Sequence, residues 1–219
     1  MKILATSCWH IGLETGGYSR ADEIGELAKE LIDESYNADL FVHLGDLFDN
    51  DHPRPGDYAL AFALLRQIEC EAKVLVAGNH DPTAVVPIGV ALDGWKVVHE
   101  DPAVFDVHGD AADGRYVCIP YQSAFTEIVE SVKLARTAGD VVAVFSHLDV
   151  PGASLSSGVE MGDSEHALPP DAKDLPCWVV NGHIHKRQIM GSIIMPGSLI
   201  QVNQGESGES KGFVMLRTG

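Results

Sequence analysis

"ADLFVHLGD" (residues 38–46) is an apolar run that stops at Gly45-Asp46, and "KVLVAGNHD" (73–81) repeats the form, stopping at Gly78-Asn79-His80-Asp81. A short, continuous apolar run bounded by glycine and polar residues reads as a strand buried on both faces, as in a parallel sheet. Open α/β sheets bind ligands beyond the carboxyl ends of their strands, which is where these polar residues fall. Three more runs end the same way: "KILATSCWH" (2–10) at Cys8-x-His10, "DVVAVFSHLD" (140–149) at Ser146-His147, and "CWVVNGHIH" (177–185) at Gly182-His183-x-His185. Any one of these reads equally well as a turn, a cap or a packed histidine. Five in one chain, each following an apolar run, point to one shared site.

Helical periodicity fills the gaps. "RADEIGELAKELIDES" (20–35) places Ile24, Leu27, Ala28, Leu31 and Ile32 on one face. "DYALAFALLRQIEC" (57–70), with Asp57 as its N-cap, and "AFTEIVESVKLARTA" (124–138) read as two further helices. Short strands are expected at 95–99, 103–108, 115–119, 192–202 and 211–218. No repeat or linker divides the chain, so residues 1–219 are expected to form one α/β domain. The Gly-, Ser- and Pro-rich segment 150–176 reads as a long ordered loop or lid.

Composition sets limits. The 219 residues are 45% hydrophobic with a formal charge of −17, and the mean hydropathy is +0.03. No apolar run approaches the roughly 18–20 residues that span a bilayer, and no secretory signal pattern is visible. The cysteines at 8, 70, 118 and 177 have no close spacing, which suits reduced thiols. A cytoplasmic protein with no membrane association is therefore expected. The negative charge argues against coating nucleic acid, but bound divalent cations would offset it locally in an enzyme of phosphate chemistry.

The residue types fit such an enzyme. Two divalent ions roughly 3.5–4 Å apart need a bridging carboxylate and nitrogen and oxygen donors on each side. Neutral imidazoles keep such a site from becoming too negative. The order D-x-H, G-D-x-x-D, G-N-H-D, H, G-H-x-H is that of calcineurin-like metallophosphoesterases, and the chain resembles it throughout except that Cys8 replaces the first Asp. "CWHIG…YSR", "GDLFDNDHPRPGDYA", "GNHD" and "GHIHKRQI…MPGSLIQVNQGESGESKGF" are more specifically similar to the SbcD-type DNA exonuclease branch.

The resemblance implies a four-layer αββα sandwich of two mixed sheets flanked by helices. It implies two divalent metal ions, Mn²⁺ in the family. The first would be held by Cys8, His10, Asp46 and His185, the second by Asp46, Asn79, His147 and His183, with Asp46 between them. By the same resemblance a metal-bound hydroxide attacks phosphorus, His80 is the proton donor to the leaving oxygen, and Asp49 orients it. Lys186, Arg187, Tyr18 and Arg20 are candidate substrate contacts. The implied function is a 3′→5′ DNA exonuclease and endonuclease of repair, recombination or replication. Its implied partners are DNA, an SbcC-type ATPase and a second copy of the chain. The C-terminal capping domain and ATPase-binding helices of longer members are not evident. Two rivals remain: a phosphodiesterase or phosphatase for a small nucleotide, and a non-catalytic scaffold with a degraded metal site.

His52, His99, His108 and His166 read as loop, surface or structural residues, and His43 and Trp9 as packed. Cys70, Cys118 and Cys177 read as core thiols. Cys8 has two readings, a buried thiol or a thiolate ligand. A thiolate keeps the negative charge that the missing Asp would supply, and its softness favours Zn²⁺ or Fe²⁺ over Mn²⁺. The ligand reading predicts that Cys8→Asp keeps or raises Mn²⁺-dependent phosphodiester hydrolysis, as measured with a chromogenic diester. A Cys8→Asp protein that is dead and metal-free would count against it.

Overall fold

The structure, a computed structural model, describes residues 1–108 and 113–218. In chain order the elements are β1 (Lys2–Thr6), β2 (Glu14–Thr15), β3 (Tyr18–Ser19), α1 (Ala21–Ser35), β4 (Leu40–Leu44), α2 (Pro55–Leu65), β5 (Ala72–Val76), α3 (Val86–Ala91) and β6 (Trp95–Val98). They continue with β7 (Ala103–Val107), β8 (Gly114–Ile119), α4 (Phe125–Thr137), β9 (Val141–Ser146), β10 (Trp178–Asn181), β11 (Gln188–Met190), β12 (Ile193–Met195) and β13 (Val214–Arg217).

One sheet runs β13-β1-β4-β5-β6 and the other β11-β12-β10-β9-β8-β7, while β2 and β3 form a separate hairpin. Both sheets are mixed. β1, β4, β5 and β6 are mutually parallel, as are β8, β9, β10 and β12, and antiparallel β13, β11 and β7 close three of the four outer edges.

Alternation of side chains along each strand explains the layers. In β1 and β4, Ile3, Ala5, Leu40, Val42 and Leu44 face the second sheet, where Tyr116, Cys118, Ala143, Phe145 and Val180 meet them. Leu4 and Phe41 face the opposite way, into a core shared with Ile24, Leu31, Leu64 and Leu65 of α1 and α2. Outside the second sheet, Val117, Val144 and Val179 pack against Ile128 and Val132 of α4. Both faces of the central strands are thus covered, and each fully buried Val, Leu, Ile or Phe contributes about 1.5–3 kcal/mol. The result is the expected four-layer sandwich.

Several local expectations are corrected. Asp57 is not the N-cap of α2. Pro55 starts the helix with its preset φ, and the Asp57 carboxylate reaches back to accept the Arg54 backbone N–H at 2.8 Å. That helix ends at Leu65 rather than continuing to Cys70, and Leu27 of α1 is exposed rather than facing the core. The expected strand 192–202 is only Ile193–Met195, because Pro196 offers no N–H and Gly197 turns at φ +83°. The 150–176 segment does not stand off as a lid. Val150, Ala153, Leu168, Ala172 and Leu175 are buried against the second sheet and take the place of a second outer helix. The β2–β3 hairpin, α3 and β11 were not apparent in the sequence.

His43 packs, as its strand position implies. It is fully buried edge-on to Trp9, ring centroids 5.2 Å apart, and neither ring nitrogen has a hydrogen-bond partner among the described residues. Burial, reinforced by His147, pushes its pKa down to about 3. A buried, unsatisfied polar group costs roughly 1–3 kcal/mol, so His43→Leu is expected to raise the thermal midpoint. The unfolded histidine takes up its proton near 6.5. Folding stability is therefore lost as pH falls below that value, until the folded form titrates near 3. His43→Leu should make that acid limb shallower, and thermal denaturation from pH 7 to 4 checks both effects.

Candidate metal centre

Parallel register brings the strand ends together. β1 and β4 run side by side with Thr6 opposite His43, and β4 and β5 with Leu44 opposite Val76, so their following loops leave the same edge of the first sheet. The Cys8 N–H donates to Gly45 O at 3.0 Å, and the His10 N–H donates to Asp46 O at 3.1 Å. In the second sheet Ser146 of β9 lies opposite Asn181 of β10, and the Gly182 N–H donates to Ser146 O. The His147 ring then crosses between the sheets, Nδ1 donating to Leu44 O at 2.6 Å.

Two glycines make this closeness possible. A Cβ at Gly45, which sits at φ +84°, would collide with the His147 ring, and one at Gly78 would collide with the Asp46 carboxylate. Four non-glycine residues also adopt left-handed backbone: Cys8 (φ +52°), His10 (+50°), Asp46 (+54°) and His183 (+68°). Among the described residues no other non-glycine residue does so. Each placement costs an L residue about 1–2 kcal/mol. All four are candidate metal donors, and strain of this kind collects at functional sites.

Each of four imidazoles has one nitrogen occupied on its outer side. His10 Nδ1 donates to Asp49 Oδ1 (3.1 Å), His147 Nδ1 to Leu44 O, His183 Nε2 to Asp149 Oδ1 (2.9 Å) and His185 Nδ1 to Glu206 Oε1 (2.9 Å). Such outer bonds fix the tautomer and present the other nitrogen's lone pair inward.

The inward atoms fall into two neighbouring sets. His10 Nε2 and His185 Nε2 face each other at 3.2 Å, with Asp46 Oδ2 4.0 Å from the former. His147 Nε2 lies 3.1 Å from both Asp46 Oδ2 and Asn79 Oδ1, and His183 Nδ1 is 3.0 Å from the same Asn79 oxygen. Cys8, His10 and His185 offer ligand atoms mutually within 4.8 Å, and so do Cys8, Asp46 and His147. Acceptors crowded this closely repel unless protons or cations lie between them. The donors therefore fit a pair of divalent ions, with Asp46 common to both.

The electrostatics agree. Burial works to raise the Asp46 pKa, yet His147 and His10 hold it far below the ordinary carboxylate range. Burial works to lower His147, yet the Asp46 carboxylate draws it above the usual imidazole value. Burial lowers His10, favouring the neutral ring a metal requires. Burial, followed by the Asp46 charge, pushes the Cys8 thiol well above its ordinary value.

His80 lies at the exposed rim. Its backbone N–H donates to Asp46 Oδ1 at 3.0 Å, its Nδ1 donates to the backbone oxygen of Asp49 at 2.8 Å, and its ring stands edge-on to His10 at 4.9 Å. Asp49 thus orients His80 through its carbonyl, while its carboxylate serves His10. The substrate-contact candidates are less engaged with the site. Arg20 is tied to Glu23 (2.6 Å) and Thr15, Tyr18 projects from the hairpin with 78% exposure, and Arg187 clamps Pro196 O and Phe213 O. Lys186 donates to Ser154 Oγ at 3.2 Å and lines a cleft of about 360 Å³ beside His183 and His185.

Some residues that shape the site have no role assigned from the sequence. Asp149 follows His147 by two positions, a spacing that would have drawn attention had the tautomer of His183 been in question. Asp81 closes the Gly78–Asp81 turn by accepting the N–H groups of Phe48 (3.0 Å) and Gly78 (2.9 Å), and burial, then the Asp46 charge, raises its pKa to about 7. Tyr121 stacks on His166 (4.3 Å) with its ring also against His183 (5.6 Å), so His166 is a rim residue rather than a remote one. Glu206 is 1% exposed. Against that burial, hydrogen bonds from His185, Lys211 and the Val202 N–H hold its pKa down to about 2.

The chain is an αββα sandwich whose strand ends gather imidazoles, carboxylates, an amide and a thiol around two adjoining cation positions. It belongs to the calcineurin-like phosphoesterase family, whose model matches residues 1–187. The family makes it a metal-dependent phosphoester hydrolase and implies a pair of divalent ions at the donors described. Similar solved structures share the fold at low identity. A dimetal phosphatase from Danio rerio matches at 12% identity and a TM-score of 0.61, covering 98% of this chain and 91% of that one. GAP50, the anchor in the inner membrane complex of Plasmodium, matches at 15% and 0.60, covering 98% and 80%. A protein of Thermus thermophilus matches at 16% and 0.53, covering 90% and 89%. Among the described residues no helix is long and apolar enough to cross a membrane.

Glu206 lies beyond the matched region yet holds His185. Glu206→Gln weakens the acceptor for His185 Nδ1–H, and loss of such an outer partner typically lowers metal affinity about 10–100-fold. Competition titration with a metal-sensitive dye should show this drop confined to one of two binding events.

Proposed function

We propose that the protein is a phosphodiesterase of the SbcD type, cleaving DNA ends or single strands with two divalent ions. The observation that carries the hydrolase part of this reading is His80, a single imidazole held at the mouth of the donor cluster by two hydrogen bonds, while DNA as substrate rests on the sequence resemblance. Bound cations would activate water and neutralise charge on the phosphoryl oxygens. The chain's own part is positional. Asn79 and Asp46 hold the centre of the cluster, and His80, when protonated, donates from Nε2 to the departing oxygen. The Asp49 carbonyl keeps the His80 ring aimed outward by accepting from Nδ1.

The resemblance that supports DNA as substrate also supports Mn²⁺, a homodimer and an SbcC-type ATPase partner, and the widely spaced cysteines support a cytoplasmic setting. One observation favours a different substrate. The formal charge is −17, and Arg20 and Arg187 are spent on internal contacts rather than displayed for a nucleic-acid backbone. A phosphodiesterase for a molecule of one or two nucleotides, sized to the cleft beside Lys186, is therefore the second reading. GAP50 is described as an anchor, and a scaffold built on a degraded site is the remaining alternative.

The Mn²⁺-loaded protein should be tested on a chromogenic diester, on end-labelled single- and double-stranded DNA, and on dinucleotides. Cleavage of DNA supports the first reading. Cleavage of the diester and dinucleotides alone supports the second, and absence of both metal and turnover supports the scaffold. A positioned general acid contributes about 10²–10⁴-fold. His80→Asn is expected to lower kcat by that order for DNA, whose leaving alkoxide needs a proton, and by much less for a nitrophenyl ester, whose leaving group does not.

A further inference from the structure

Resting on the two-cation reading above, we propose that Cys8 supplies a thiolate shared by both cations, a second bridge beside the Asp46 carboxylate. The ligand atom of Cys8 belongs to both donor sets. It lies within 4.8 Å of the His10 and His185 nitrogens, and within the same limit of the Asp46 oxygen and the His147 nitrogen. An atom close to donors of both sets is placed to reach either cation position.

The backbone holds the thiol at this place. Cys8 takes left-handed φ, as do His10, Asp46 and His183, so it carries the same strain as the other donors. Its N–H is bound to Gly45 O at 3.0 Å and its carbonyl accepts the Leu199 N–H at 3.3 Å. The residue is wholly buried. The other thiols are used differently. Cys118 is in the core between the sheets, Cys177 lies against the outer core, and the Cys70 thiol donates to Ala72 O.

Chemistry favours the shared position. A thiolate has more than one lone pair available to metals, and two anionic bridges between two dications leave a modest net charge in a buried site. The thiol proton passes to solvent when the cations enter. Sulfur softens both positions at once, so the centre should prefer Zn²⁺, Co²⁺ or Fe²⁺ to Mn²⁺ throughout, and not at one cation alone.

Co²⁺ titration of the whole reduced protein under anaerobic conditions reads the sulfur directly, through its thiolate-to-cobalt charge-transfer absorption. The expected result is a band that grows with both the first and the second equivalent. Cys8→Ser is expected to lose it while the histidine-based visible bands remain. Cys8→Asp should lose it as well and shift preference towards Mn²⁺, which keeps the test available if the serine variant does not fold. A band that saturates at one equivalent, one that persists without Cys8, or two cobalt ions bound with no band would each overturn the shared thiolate. Cobalt content and diester hydrolysis measured on the same sample separate the two levels. Two ions and turnover without the band leave the phosphodiesterase standing, whereas no bound cobalt removes both.

Discussion

Two imidazole nitrogens that face each other at 3.2 Å, each with its far side already bonded, set the terms for this molecule. Neither His10 nor His185 can turn away, because Asp49 holds one ring and Glu206 the other. The same is true of His147, held by Leu44 O, and of His183, held by Asp149. Converging lone pairs are unfavourable by themselves. They persist because the groups that aim them belong to the body of the fold, whose core burial outweighs the local repulsion and the strained backbone of four donors.

That arrangement explains details remote from the cluster. Gly45 and Gly78 are glycines because a larger residue would push His147 or Asp46 out of line. The two sheets meet through an apolar core along most of their length, and at the site edge the His147–Leu44 hydrogen bond joins them. Donors on the first sheet are Cys8, His10, Asp46 and Asn79, while His147, His183 and His185 come from the second. A bound pair of cations would therefore tie the two sheets together, adding to stability with the logarithm of cation concentration over Kd.

Much of this was legible in the sequence. Apolar runs ending in Gly-Asp, Gly-Asn-His-Asp and Gly-His-x-His place the strands and the donors by rules of alternation and turn chemistry. The four-layer architecture agrees with the family resemblance. Boundaries were less readable. Asp57, expected at the cap of α2, sits two residues inside the helix, because a carboxylate can cap from the third helical position as well as from the cap itself. The outer supports were hidden because Asp149, Glu206 and Lys211 act through partners far along the chain. No local pattern announces that a buried glutamate meets His185 on one side and a lysine ammonium on the other. The basic residues next to the last motif looked available for substrate, and only the folded backbone shows Arg187 committed to two carbonyls.

The last strand, β13, lies antiparallel beside the first, with Leu216 opposite Ile3, and the segment leading to it carries Leu199, Glu206 and Lys211 to the cluster. During synthesis the amino-terminal donors emerge long before the residues that brace them. The full set of outer supports for the cluster is therefore complete only once residues some two hundred positions downstream of Cys8 are in place. Pairing β13 with β1 ties the completion of the donor cluster to a segment made long after its first donors.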